Sequence, residues 1–265
     1  MKKIKPGTQA VILAGGLGTR ISERTNIIPK PLVTIGTMPI LWHIMKTFYC
    51  YGVKDFIICG GHKIEKIHEF FKHYEFLNDD YEYNISNSTY TKLTRKSEDW
   101  NIKVLNTGHS TNTGGRLKRI KDHIKDDQPF FATYGDGVAD INLTELYEFH
   151  KKRTDALVTL TSVVPVARFG AIQINENNFV TNFSEKPVGD GNIINGGFFV
   201  INKCTLDYIN SDNASWEEDI LPALAKKNQL RAYNHKGFWQ PMDTLRDNKY
   251  LNNLWEQKKC PWKIW

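Results

Sequence analysis

Long apolar runs are missing from this 265-residue sequence, and no window approaches the ~20 apolar residues that a membrane-spanning helix needs. The first twenty residues, basic and then briefly apolar, imitate a secretory leader. Their apolar run holds only Val11, Ile12, Leu13 and Ala14 before glycines and Arg20 break it, short of the ~7–15 residues of a leader core. A cytoplasmic location with no membrane partner is expected. Cysteine is scarce too: Cys50, Cys59, Cys204 and Cys260 lie far apart with no Cys-x-x-Cys pair. That pattern argues against a zinc site and a disulfide framework and predicts packed thiols. Internal repeats, low-complexity tracts and a concentrated basic tail are also lacking. The 35 Lys and Arg residues exceed the 29 Asp and Glu residues by 6, but they are scattered. Scattered positive charge favours small phosphorylated anions and gives no expectation of nucleic acid.

Ordinary globular material is present, with 40% hydrophobic and 24% charged residues. QAVILA, DFIICG, IKVLNTG, PFFATYGD and ALVTLTSV read as buried strands, rich in β-branched and aromatic residues and bounded by Gly, Asp or Pro. Between them, Ile40–Cys50, Ile64–Tyr74 and Leu143–Lys151 carry apolar residues at i, i+3/i+4 spacing and predict helices, as does Leu245–Lys258. Alternating strands and helices imply an α/β fold with a mainly parallel sheet. From Ala156 the rhythm changes. AIQINEN, NFVTNFSEKP and INGGFFVINK follow closely without helices between them, predicting antiparallel strands added to the sheet or a small subdomain. Residues 75–101 are polar and aromatic with weak periodicity, and read as an excursion, a lid or an oligomer contact.

Two motifs carry chemistry. An apolar strand runs into Gly15-Gly16-Leu17-Gly18, whose backbone N–H groups can approach phosphate oxygens, and Thr19, Arg20 and the Pro29-Lys30-Pro31 turn add polar and cationic partners. No Gly-Lys-Ser/Thr follows, and Ile21 stands where a dinucleotide loop needs glycine, so neither standard nucleotide-loop pattern applies. The second motif is YGDGVAD, which sets Asp136 just past an apolar strand, where open α/β sheets collect ligands. Asp136 taken alone reads more readily as a strand-ending turn residue. Asp243, embedded in GFWQPMDT among Trp239, Pro241 and Met242, is an acid that needs a partner, and a shared Mg²⁺ would be one.

Three weaker clusters fit the same pocket. TNTGGRLKR joins a Gly-Gly turn to a helix on which Lys118 and Arg119 read as solvent-facing and Arg116 as a site candidate. FSEKP brings Glu185 and Lys186 to a strand end, either as a sugar and phosphate clamp or as a surface pair. Asn195, before Gly196-Gly197, and Gly170, in RFGA, are individually faint signals.

Through AVILAGGLGTR, PKP, PILWHIM, TGGRLKR, YGDGVAD, RFGA, EKP, INGGFFV and GFWQPMDTLRD, the chain resembles the sugar nucleotidyltransferases and, within them, the cytidylyl branch. The resemblance implies the nucleotide-diphospho-sugar transferase fold: a Rossmann-like, mainly parallel sheet flanked by helices, with added antiparallel strands. It implies one domain over 1–265, with a nucleotide-binding part at about 1–140 and a sugar-phosphate-binding part at about 141–265. Leu13, Ala14, Gly15, Gly16, Gly18, Thr19, Arg20 and Lys30 would then hold the nucleotide together with Thr111, Gly115, Arg116 and Gly135. Asp136 and Asp243 would bind Mg²⁺, and Gly170, Glu185, Lys186, Asn195 and Trp239 would line the sugar-phosphate side. A homo-oligomer, up to a hexamer by family analogy, follows on the same ground.

The implied reaction is attack of a sugar 1-phosphate, glucose 1-phosphate first among them, on the α-phosphorus of CTP, giving CDP-sugar and pyrophosphate. A phosphate oxygen with a second pKa of about 6 is already ionised at neutral pH and needs no general base. This agrees with the lack of a recognisable Ser-His-Asp or Cys-His arrangement. Positioning and neutralisation by Arg20, Lys30, Lys186 and Mg²⁺ would carry the catalysis. Cytosine offers neighbouring acceptors at N3 and O2, so a guanidinium beside the Gly114-Gly115 turn would favour it over uracil, and Arg116 is the candidate base reader. Gripping the triphosphate is its competing role. A metal-dependent glycosyltransferase, a regulatory nucleotide sensor, and an enzyme using UTP or dTTP are the alternatives.

Overall fold

The computed structural model describes residues 3–16, 18, 27–126, 128–165, 171–174, 176, 179–184 and 193–265. In chain order, β1 (Gln9–Leu13) is followed by a 3-10 turn (Lys30–Leu32), a small hairpin of β2 (Thr34–Ile35) and β3 (Met38–Pro39), and α1 (Ile40–Cys50). Next come β4 (Asp55–Gly60), α2 (Ile64–Lys72), α3 (Tyr74–Asn78), the hairpin β5 (Tyr81–Asn84) and β6 (Thr89–Lys92), and β7 (Asn101–Asn106). Then α4 (Thr113–Arg119), β8 (Phe130–Tyr134), β9 (Gly137–Ala139), α5 (Leu143–Lys151) and β10 (Val158–Val163) follow. The remainder holds β11 (Ala171–Ile174), β12 (Val180–Ser184), β13 (Ile194–Ile201), a π-helical turn (Trp216–Ile220), α6 (Leu221–Lys226), β14 (Leu230–Asn234), β15 (Trp239–Pro241) and α7 (Leu245–Glu256).

Seven strands form one mixed sheet in the order β14-β10-β13-β8-β1-β4-β7. β1 pairs parallel with β4 and β8, β4 with β7, and β10 with β14. β13 runs antiparallel to both of its neighbours, β10 and β8. The late strands divide between the two expected arrangements: β13 joins the main sheet, and β11 with β12 makes a separate antiparallel pair. The weakly periodic 75–101 stretch contains the β5–β6 hairpin, whose aromatics Tyr81, Tyr83 and Tyr90 cluster together with Phe76. Its alternation is hard to read in sequence because three of the four β6 residues and three of the four β5 residues are exposed.

Alternation along the central strands sends side chains to two cores. Ala10 and Ile12 of β1, Phe56 and Ile58 of β4, Phe131 of β8, and Phe198 and Val200 of β13 face one side, packed with α1, α5 and α7. Val11, Ile57, Phe130, Phe199 and Ile201 face the other, against Leu117, Trp216, Leu221 and Leu224. Helices on both faces explain why these strands are apolar throughout. The fully buried Phe131 alone would cost roughly 3–5 kcal/mol if cut to alanine.

The chain leaves β1 toward β4 and β7 on one side, while β8 and the later strands build the other side. Strand order therefore reverses at the β1–β8 seam, and the crevice beyond those carboxyl ends is where such sheets bind ligands. No helix among the described residues is long and apolar enough to cross a membrane. All four cysteines are free thiols, but the expectation of packing fails at Cys204, which is exposed. It stands in the 3-10 turn Lys203–Tyr208, whose core contacts come from Thr205 and Leu206 instead.

Candidate active site at the β1–β8 seam

The seam is tied at its open end by backbone. Gly135 N–H donates to the Leu13 carbonyl at 2.9 Å, and Ala14 N–H to the Cys59 carbonyl at 3.0 Å. Past those bonds the strands part around a cavity of about 330 Å³. Leu13, Ala14, Gly15, Gly16, Gly18, Lys30, Thr111, Arg116, Gly135, Asp136 and Asp243, all expected from sequence, stand in its wall. So do Pro31, Asn112, Thr113 and Tyr134, which sequence reasoning did not single out. Tyr134 sits inside the YGDG motif, and its place directly before the Gly-Asp turn was the available signal.

Residues from three distant segments meet here. Lys30 opens the Pro-flanked 3-10 turn, Asp136 follows β8, and Asp243 lies between β15 and α7. Lys30 Nζ donates to Asp136 Oδ2 at 2.5 Å and to Asp243 Oδ1 at 2.6 Å, and its side chain is 12% exposed. Burial disfavours the charged ammonium, but the carboxylates of Asp136 and Asp243 outweigh it and hold the Lys30 pKa above the ordinary lysine value. Asp243 is set by α7. Asp247 Oδ2 accepts from the Asp243 and Thr244 N–H groups, and the Thr244 hydroxyl caps the helix in a reciprocal capping box.

Arg116 reaches the cavity wall from within a helix. The Gly114-Gly115 pair is not a turn before the helix but the first turn of α4 itself, capped by Asn112. From there Arg116, 4% exposed, directs Nη1 to the carbonyls of Gly60 (3.2 Å) and Gly108 (2.8 Å) and to Thr107 Oγ1 (2.8 Å). Its Nη2 donates to the Gly15 carbonyl at 3.0 Å and more weakly to that of His109 at 3.4 Å. These donors hold the glycine loop against the ends of β4 and β7, a bracing contact made by a side chain that also stands in the cavity wall. Gly115 is not among the residues of the cavity wall. A Cβ there would lie 2.2 Å from the Asp212 carbonyl oxygen, so glycine is required for α4 to pack on that loop.

Asn195 and Trp239, the two described residues expected on the sugar-phosphate side, come together. Trp239 Nε1 donates to the Gly196 carbonyl at 2.7 Å, next to Asn195. Asn195 Oδ1 accepts from Gly197 N–H at 2.9 Å, and Nδ2 donates to the Tyr134 hydroxyl at 3.3 Å. Burial, then the Glu217 carboxylate, push the Tyr134 phenol pKa well up. Thr19, Arg20, Gly170, Glu185 and Lys186 lie outside the described residues.

Among the described residues no group of three or more His, Cys, Asp or Glu side chains is gathered to hold a metal unaided. Two carboxylates converging on one cation suit Mg²⁺, which keeps waters and binds one or two carboxylates together with substrate phosphates.

This arrangement has relatives. The profile of the "Nucleotidyl transferase" family matches residues 9–252. The glucose-1-phosphate cytidylyltransferase of Salmonella typhimurium is 49% identical over 257 residues, covering 97% of this chain and 99% of that protein. A probable glucose-1-phosphate cytidylyltransferase of Bacillus subtilis is 44% identical, covering 97% of this chain and 100% of that protein. Among solved structures, HddC from Yersinia pseudotuberculosis superposes with a TM-score of 0.67 at 22% identity, over 94% of this chain and 99% of that one. A UDP-glucose pyrophosphorylase complexed with UDP-glucose gives 0.66 at 15% identity, over 97% and 100%. The last two establish the shared fold. With the glycine loop, the converging Lys30, Asp136 and Asp243, and a family match across nearly the whole sheet, this chain belongs to the nucleotidyl transferase family.

Proposed function

We propose that the chain transfers a cytidylyl group from CTP to glucose 1-phosphate, releasing pyrophosphate and forming CDP-glucose. The observation that carries this reading is the convergence of Lys30, Asp136 and Asp243 beside the glycine loop in one cavity, in a chain that shares half its residues with a cytidylyltransferase. The nucleophile is the sugar phosphate oxygen, ionised at neutral pH, and it attacks the α-phosphorus in line. The task left to the protein is to align two polyanions and offset their charge.

The backbone N–H groups of Gly15 to Gly18, with Thr19 and Arg20, cradle the triphosphate. Lys30 Nζ has three donors. Two reach Asp136 and Asp243, and the third can address a phosphate oxygen. Asp136 and Asp243 are the groups that would hold Mg²⁺. Charge neutralisation and a template for the phosphate oxygens are what that ion supplies when bound. Thr111, Gly135 and Arg116 shape the nucleotide side. Gly170, Glu185, Lys186, Asn195 and Trp239 serve the sugar phosphate, so that about 1–140 and 141–265 divide the two substrates between them. The same reading includes a cytoplasmic enzyme that self-associates, up to a hexamer. The exposed Phe76, Tyr83, Ile85 and Tyr90 around the β5–β6 hairpin are compatible with such assembly, and the particle mass in solution tests it.

A matrix of CTP, UTP, dTTP and GTP against glucose, mannose and galactose 1-phosphates, scored for pyrophosphate, tests the proposal. CTP with glucose 1-phosphate should turn over fastest. A different best pair reassigns the substrates, and no turnover anywhere in the matrix sinks the enzyme reading.

A further inference from the structure

One carboxylate joins the two halves of the site without touching the cavity. The π-helical turn Trp216–Ile220 begins at Ser215, whose carbonyl accepts from Ile220 N–H at 3.2 Å, and whose hydroxyl accepts from Glu218 N–H at 3.0 Å. Such turns often mark functional positions. Here the widened turn presents Glu217 between two cavity-wall residues. Glu217 Oε2 accepts from the Thr113 hydroxyl at 2.6 Å, and Oε1 accepts from the Tyr134 hydroxyl. Thr113 accepts in turn from Trp216 N–H at 2.9 Å, so its hydroxyl proton has only the carboxylate to serve.

The direction of each bond follows from the first. An ionised carboxylate accepts and cannot donate, so the Tyr134 hydroxyl must donate to Glu217. Its lone pair then faces Asn195, and the group that meets a lone pair is the amide Nδ2, as observed at 3.3 Å. The Gly197 N–H on Asn195 Oδ1 enforces the same orientation from the other end. The Tyr134 ring lies directly against Gly197. A Cβ on Gly197, which is at φ +80°, would lie 2.4 Å from Tyr134 Cδ2, so that glycine serves both the backbone shape and the ring seat.

We infer that Glu217 and Tyr134 are positioning residues: Glu217 sets Thr113 on the nucleotide side, and through Tyr134 fixes the amide of Asn195 on the sugar-phosphate side. This rests on the proposed function in taking Asn195 to face the sugar phosphate. Removing only the phenol oxygen cuts the path to Asn195 and leaves Thr113 held. Altering Glu217 disturbs both branches, because a glutamine offers one acceptor oxygen where the hydroxyls of Thr113, Tyr134 and Ser215 all donate.

The test is steady-state kinetics of wild type, Tyr134→Phe, Asn195→Ala, their double variant and Glu217→Gln, with CTP and glucose 1-phosphate varied in turn. Tyr134→Phe should raise KM for glucose 1-phosphate roughly three- to tenfold, the scale of one lost hydrogen bond, with KM for CTP nearly unchanged. The double variant should be no worse than Asn195→Ala alone. Glu217→Gln should raise KM for both substrates, which tests the path even if the phenylalanine variant is insoluble. Equal effects of Tyr134→Phe on both substrates, multiplying effects in the double variant, or a Glu217→Gln enzyme with unaltered KM values would each overturn the inference. In those cases wild-type turnover persists. A wild-type protein inactive with this substrate pair overturns the functional reading itself.

Discussion

Arg116 Nη2 donates to the carbonyl of Gly15 at 3.0 Å, and a Cβ built on Gly15 would stand 2.1 Å from Arg116 Nη1. The glycine that opens the loop is therefore also the floor on which a buried guanidinium rests. Its neighbour differs: a Cβ on Gly16 meets nothing within 4 Å.

That contrast separates a packing glycine from a ligand glycine. Gly15→Ala should displace Arg116 and lower thermal stability, whereas Gly16→Ala should melt like wild type. A loss of turnover in Gly16→Ala with unchanged melting assigns that position to phosphate approach. Equal melting losses in the two variants would contradict the assignment.

Arg116→Ala takes the buried donor from the Gly108 carbonyl and the shorter of two from that of Gly15, while Gly60 keeps the Thr107 N–H and hydroxyl; the loss should cost on the order of 1–3 kcal/mol of stability. Because the guanidinium braces loops, turnover with CTP and UTP should fall together. Measuring kcat/KM for both nucleotides checks this. A CTP/UTP ratio that collapses toward one would assign the residue the base-reading role instead.

Lys30→Ala should leave a folded protein with turnover reduced on the order of 10²–10³, the usual scale for removing one preorganised charge partner. Removing the ammonium also leaves Asp136 and Asp243 facing each other without the cation they share. Asp136→Asn and Asp243→Asn should each lose metal-dependent activity, since a carboxamide keeps the shape without the charge. Activity retained with normal metal dependence would return either residue to a structural role.

Acid should weaken the fold through His43. Its ring is fully buried, and burial pulls its pKa down to about 4 from 6.5. The Ile35 carbonyl accepts from Nε2 at 2.9 Å, and the Trp262 indole N–H points at Nδ1 at 3.4 Å, so protonating Nδ1 would set two donors against each other. The unfolded chain binds a proton near pH 6.5 that the folded chain refuses until about pH 4. Stability is therefore full above pH 6.5 and declines as pH falls through that window, by on the order of 3 kcal/mol. Denaturant unfolding at pH 7 and pH 4.5 should show a smaller difference in His43→Gln than in wild type. His150, lowered in the same direction by burial, adds to the slope in both proteins.

The α/β class, the two exact helices Ile40–Cys50 and Leu143–Lys151, and the strand Asp55–Gly60 were legible because burial imposes a period on apolar residues. The cavity wall was legible where glycine, proline and charge cluster in short motifs, as at Gly15, Lys30 and Asp136. What stayed hidden depends on contacts between distant segments. Gly115 reads as a turn glycine until the 212–214 loop is seen against it, and the carbonyls that Arg116 braces come from three loops far apart in sequence. Glu217 gave no signal, since an acidic pair after tryptophan reads as a solvated face, and only the π-helical turn aims it at Thr113 and Tyr134.

The central claim is tested most directly by incubating the purified protein with CTP, glucose 1-phosphate and Mg²⁺ and following the phosphorus spectrum. The account predicts stoichiometric appearance of CDP-glucose and pyrophosphate, abolished by chelation and by Asp136→Asn. Unchanged CTP, or hydrolysis to CMP without a sugar adduct, would contradict it.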